Sequence, residues 1–138
     1  MWAMDRLTKE RRSWLMARVG GRDTGPERIV RGFVRALGLR PRLNDSRLPG
    51  KPDLAFPAAK KAIFVHGCFW HRHPNCPKAT MPKTRRAFWR AKFDANVARD
   101  RRVRRALRAM GWRTMVVWQC RLARPDAAAR RIANFLER

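Results

Sequence analysis

The chain of 138 residues is long enough for one compact domain with its own core and too short for two of ordinary size. Its 34 Lys+Arg against 10 Asp+Glu leave a net charge of +24, which makes a nucleic acid the expected partner, while 45% hydrophobic residues with six Trp and seven Phe exclude a purely disordered basic tail. No run of about 20 apolar residues is present, so no membrane span or membrane partner is expected.

The first residues have cations but no apolar core of signal-peptide length, and three cysteines make a poor disulfide framework. A cytoplasmic location is therefore expected.

In chain order, residues 1–21 read as a basic N-terminal arm in which cations alternate with Leu7, Trp14, Leu15 and Met16, and residues 22–138 read as a single domain. Thr24-Gly25-Pro26-Glu27 has capping-box spacing; Ile29, Val30, Phe33, Val34 and Leu37 then mark one helical face, which Gly38 is placed to stop. Residues 39–43 are expected to be extended, before a turn-rich stretch from Asn44 to Pro52.

Residues 53–56 and 62–66 predict two short strands, close enough to form a hairpin. The spacing predicts a helix over 84–110, with Phe88, Phe93, Val97, Val103, Leu107 and Met110 inward and a break near Asp100. Met115-Val116-Val117-Trp118 reads as a buried strand, and Pro125 opens a last helix with Ile132, Phe135 and Leu136 inward. Helix, strand pair, loop, helix, strand, helix predicts an α/β domain with helices on both sides of a small mixed sheet.

All three histidines and two of the three cysteines fall between His66 and Cys76. Zinc in a structural site takes four thiolate or imidazole ligands, and Cys68, His73 and Cys76 with distant Cys120 supply such a set. His71 is near enough to replace His73, and Cys68 and Cys120 would also suit buried, inert positions.

The hairpin would bring Asp53 near His66 and the Val65 carbonyl. A carboxylate with backbone and water oxygens suits Mg²⁺, although an Asp after Pro52 is also ordinary turn chemistry. Glu27 is accounted for as a capping carboxylate. Phe69 and Trp70 on a tight loop, with Trp89, suit stacking on bases or wedging between them, at an unstacking cost lowest at a mismatch or lesion; covering the back of the zinc loop is their structural alternative.

Several strings together resemble one family: Leu48-Pro49-Gly50-Lys51-Pro52-Asp53, Phe64-Val65-His66-Gly67-Cys68-Phe69-Trp70-His71, Pro82-Lys83-Thr84-Arg85, Phe88-Trp89, Asn96-Val97-x-Arg99-Asp100 and Val117-Trp118-x-Cys120. In this order, over most of the chain, they are similar to the very short patch repair (Vsr) endonucleases. The resemblance implies a restriction-endonuclease-like fold of the PD-(D/E)xK type, with Phe64-Val65-His66 where the usual signature has Glu-x-Lys. It implies Mg²⁺-dependent nicking of one strand 5′ of the thymine in a T·G mismatch, the product of 5-methylcytosine deamination.

By position, the resemblance makes Asp53 the Mg²⁺-binding carboxylate and the Val65 carbonyl a second ligand. It makes His71 the general base, His66 a phosphate-side partner, Glu27 the group orienting an imidazole and Asp100 a further support. Cys68, His73, Cys76 and Cys120 would hold structural Zn²⁺, Phe69, Trp70 and Trp89 would intercalate, and the arm would cross the minor groove. The expected partner is double-stranded DNA with a T·G mismatch, bound by a monomer that also contacts downstream repair proteins. Two other readings are a restriction-like or modified-DNA nuclease of the same fold and a non-catalytic, zinc-stabilised nucleic-acid-binding module.

Overall fold

The computed structural model describes residues 25–137. The expected arm over 1–21 and Thr24 of the expected capping box lie outside the described residues. Helix α1 (Pro26–Ala36) starts at Gly25, with no side-chain cap, and has Pro26 in its first turn, where a missing N–H costs nothing. It buries Val30, Phe33 and Val34, and Gly38 leaves it at φ 81° with its N–H donating to the Arg35 carbonyl.

After α1 come strands β1 (Arg42–Leu43), β2 (Leu54–Phe56) and β3 (Lys61–His66), helix α2 (Arg86–Ala109), strand β4 (Arg113–Trp118), a 3₁₀ turn (Gln119–Ala123) and helix α3 (Pro125–Glu137). The four strands form one mixed sheet in the order β1-β2-β3-β4. The expected hairpin is there, with β2 antiparallel to β3, whereas β3 and β4 run parallel. Parallel neighbours need a crossover, and α2 supplies it.

Alternate residues of β3 face two cores. Ile63 joins Val30, Phe33, Leu54, Val117 and Ile132 under α1 and α3, while Ala62 and Phe64 pack on Leu107 of α2. Burial on both faces explains why residues 62–65 read as an unbroken apolar run rather than an alternating one. The result is a small α/β fold with helices on both sides of a mixed sheet, as the element order predicts.

Three details correct the sequence reading. Helix α2 runs through Asp100 without a break, because nothing there removes an N–H or forces a kink. Phe88 and Met110, expected inward, are 48% and 46% exposed. At roughly 100° per residue Trp89 lies about 40° from the buried Phe93 and Phe88 about 140° from it, so Trp89 shares the inner face; Met110 ends the helix as its C-cap.

Gly50 joins the loop before β2 to α2. It adopts φ 73°, and a Cβ there would overlap the Val103 side chain. Gly50→Ala is expected to destabilise the fold by about 2–4 kcal/mol, from left-handed strain plus overpacking. An unchanged urea midpoint would show that the loop does not need this close approach.

Candidate active site and metal centre

The parallel register places His66 of β3 opposite Trp118 of β4. Cys68 and Cys120 each follow by two residues, so two cysteines 52 positions apart meet beyond the strand ends, where the Cys120 N–H donates to Cys68 Sγ at 3.4 Å. The chain then winds one tight turn, with His71 N–H to the Gly67 carbonyl and His73 N–H to the Cys68 carbonyl, both at 3.1 Å. This returns His73 Nδ1 to 3.6 Å from Cys68 Sγ and 3.3 Å from Cys120 Sγ. Asn75, at φ 57°, turns the chain again ahead of Cys76.

The ligand atoms of Cys68, His73, Cys76 and Cys120 all lie within 4.8 Å of one another. A tetrahedral ion with bonds of about 2.3 Å to sulfur holds its thiolates about 3.8 Å apart, so the set has the span of a metal site. Its electrostatics agree. The Lys78 N–H draws the Cys76 thiol below its ordinary pKa, burial and the other two thiols push Cys120 up to about 11, and burial with Arg121 lowers His73 towards its neutral, ligand form. A divalent cation among them would stabilise every thiolate at once.

His71 turns away from this cluster. Its ring stacks on His66 with centroids 3.9 Å apart and planes at 6°, and its Nδ1 lies 2.8 Å from Asp100 Oδ2 on α2. A carboxylate at Nδ1 fixes the neutral tautomer with the proton there, which leaves Nε2 free to accept one. His66 is held to a pKa of about 4 by burial and then by His71, and is therefore neutral at ordinary pH. Its buried Nδ1 has no hydrogen-bond partner among the described residues.

Asp100, His66 and His71 also lie within 4.8 Å of one another. Stacked parallel imidazoles direct their lone pairs in separate planes rather than at one point, so the trio suits proton handling better than chelation. Trp118 stands between the two centres, edge-on to His66 at 5.3 Å and face-on to His73 at 4.3 Å.

Asp53 precedes β2, and its Oδ2 accepts the Val65 N–H at 2.6 Å. Burial pushes its carboxyl above the usual range, against the Val65 hydrogen bond, and the Glu27 charge pushes the same way. A half-buried carboxylate beside the backbone of β3, within the electrostatic reach of a second carboxylate, fits a hard divalent cation. Glu27 itself is exposed in the first turn of α1. Among the described residues the carboxylate bonded to an imidazole is Asp100.

The aromatic residues form a ridge over the start of α2. Phe69 meets the buried Phe93 edge-on at 5.1 Å, Trp89 stacks on Phe93 at 5.7 Å, and Trp70, 47% exposed, leans on Phe69 and Trp89. Of the three residues expected to intercalate, Trp70 is open to a partner while Phe69 and Trp89 are half-buried.

Sequence reasoning missed three contributors. Trp118 read as part of a strand and of the Val117-Trp118-x-Cys120 string, with no role of its own, although its place two residues before Cys120 was a signal. Asn96 donates to the Trp70 carbonyl at 3.1 Å. Arg72 bonds the carbonyls of Phe69, Ala79 and Thr80, and no sequence signal separates it from the other cations.

Comparison with known proteins adds to this geometry. A family profile described as "DNA mismatch endonuclease Vsr" matches residues 4–78. The chain is 47% identical over 133 residues to the type II nicking enzyme V.XorIIP of Xanthomonas oryzae pv. oryzae, covering 96% of this chain and 97% of that protein. It is 41% identical over 114 residues to the DNA mismatch endonuclease Vsr of Escherichia coli K12, covering 83% and 72%. It is 39% identical over 118 residues to the type II nicking enzyme V.NmeAIP of Neisseria meningitidis, covering 86% and 84%.

The four-ligand cluster predicts one tightly bound thiophilic cation per chain. Titration of metal-free protein with Co²⁺ should give sulfur-to-metal charge-transfer absorption that saturates at one equivalent and is lost in Cys120→Ala. Absence of that band in the parent chain would refute the site.

Proposed function

Since the chain belongs to the Vsr family of DNA mismatch endonucleases, we propose that this DNA endonuclease nicks one strand 5′ of the thymine in a T·G mismatch, with Mg²⁺ at the reaction centre and structural Zn²⁺ in the cysteine cluster. The observation that carries the reading is that two consecutive residues present different chemistry. Trp70 is an exposed aromatic and His71 is an imidazole held by Asp100. On this reading, sensing a weakened base stack and removing a proton fall to adjacent positions, with the Asp53 carboxylate near enough to feel the His71 charge.

In this reading His71 Nε2 accepts the proton of the attacking water while Asp100 stabilises the imidazolium that forms. Neutral His66 supports the His71 ring by stacking and faces the phosphate. Asp53 and the Val65 carbonyl would hold Mg²⁺, with the Glu27 charge adding to the attraction; when bound, the ion would supply positive charge at the phosphate and lower the pKa of a water. Cys68, His73, Cys76 and Cys120 would hold Zn²⁺ and so brace the loop that carries Trp70 and His71. Trp70, with Phe69 and Trp89 behind it, enters the stack where unstacking costs least.

Residues 22–138 act as one endonuclease domain, residues 1–21 as a basic arm on the duplex. A single-strand nick needs one such site, which a monomer supplies.

The test is a panel of matched, 5-methylcytosine-containing and T·G duplexes of one sequence, incubated with Mg²⁺. The T·G duplex should be nicked on the thymine strand alone, and Asp53→Ala should abolish the nick. Equal cleavage across the panel would make the protein a restriction-like nuclease instead. On the T·G duplex, Asp100→Asn is expected to lower kcat by roughly 10²–10⁴-fold with duplex affinity retained. A kcat within about twofold of the parent would remove Asp100 from its role as the support of the His71 base.

A further inference from the structure

Arg72 lies between His71 and His73 in a strongly cationic chain, and its position suggests one more contact to phosphate. The structure assigns it elsewhere. Its guanidinium donates through Nη1 to the carbonyls of Phe69 at 3.2 Å and Thr80 at 2.9 Å, and through Nη2 to that of Ala79 at 3.0 Å. The same group sits over the Phe93 ring at 4.0 Å and 5.7 Å from the Phe69 ring. Its backbone holds φ 54°, a left-handed conformation that L residues adopt only where surrounding contacts enforce it.

We propose that Arg72 is a positioning residue for the aromatic wedge. It ties the loop at 79–80 and the Phe69 backbone to the Phe93 ring of α2, so that Trp70 stands at a fixed height before any duplex arrives. Asn96 secures the next carbonyl, that of Trp70, from the same helix. The wedge is thus held at two successive carbonyls by two side chains of different origin. Ordering the loop in advance removes that cost from the binding step. The planar fork is essential, because a lysine ammonium cannot bond three carbonyls and lie flat on a ring at once.

This proposal rests on the reading of Trp70 as a wedge, and the experiment separates the two. Arg72→Lys, Arg72→Met and Trp70→Ala are compared with the parent protein in its metal-loaded form. In both Arg72 variants, amide hydrogen exchange of residues 67–83 should accelerate at least tenfold while β3 and β4 keep their protection and bound metal stays at the parent level. KM for the T·G duplex should rise about 10-fold or more at nearly constant kcat, and the salt slope of duplex binding should stay that of the parent.

Unchanged exchange over 67–83 in Arg72→Lys overturns the proposal. So does a salt slope lowered by about one charge in Arg72→Met, which would mark a phosphate contact. If Trp70→Ala raises KM and Arg72→Lys does not, the Arg72 proposal alone fails. If Trp70→Ala leaves KM unchanged, the wedge reading fails and takes this proposal with it.

Discussion

The parallel, in-register pairing of β3 with β4 is the constraint on which both centres depend. Hydrogen bonding from Lys61↔Arg113 to His66↔Trp118 makes the two strands end together. Two parallel strands that end together deliver their following residues to the same place, so Cys68 and Cys120 meet although α2 separates them in sequence. The pairing is itself secured by burial on both faces: Ile63 and Val117 lie under α1 and α3, and Ala62 and Phe64 under Leu107. A slip of one residue would turn each of these side chains to the opposite face and part the cysteines.

From that edge a line of rings runs from one centre to the other: His73 on Trp118, Trp118 against His66, His66 on His71, and His71 bonded to Asp100. The two ends have opposite chemical needs. Three thiols crowded together suit a soft cation, whereas two parallel stacked imidazoles beside a carboxylate do not converge on one ion. Trp118 lies between the two ends, its ring meeting His66 edge-on and His73 face-on.

The net charge of +24 overstates the charge available to DNA, because some cations are structural. Lys61 is 4% exposed and donates to the Leu136 carbonyl from beside the Phe135 ring, joining β3 to the end of α3. Arg72 is consumed by three carbonyls. Many of the remaining arginines lie on the exposed sides of α1 and α2, while Arg47 is paired with Asp45; such an array of exposed arginines is the electrostatic footprint expected of a protein that holds a phosphate backbone.

Local chemistry made much of this legible in the sequence. Pro26 and Gly38 bound α1, β-branched runs mark β3 and β4, and scarcity makes the residues between His66 and Cys76 conspicuous, because such signals are carried by neighbours a few positions apart. Other features needed the tertiary structure. Whether His71 or His73 lies beside the cysteines depends on a single turn of backbone, since both fall between Cys68 and Cys76 in the sequence. Phe88 and Trp89 are adjacent, and the helix phase that half-buries Trp89 and exposes Phe88 is set by packing on Phe93. The function of Arg72 rests on carbonyls of a loop that folds back over it. The sequence by itself determined which chemical groups are present and which segments carry them; the fold alone decided which of those groups face one another, because an imidazole or guanidinium acquires its role from the partners that long-range packing brings within a few ångströms.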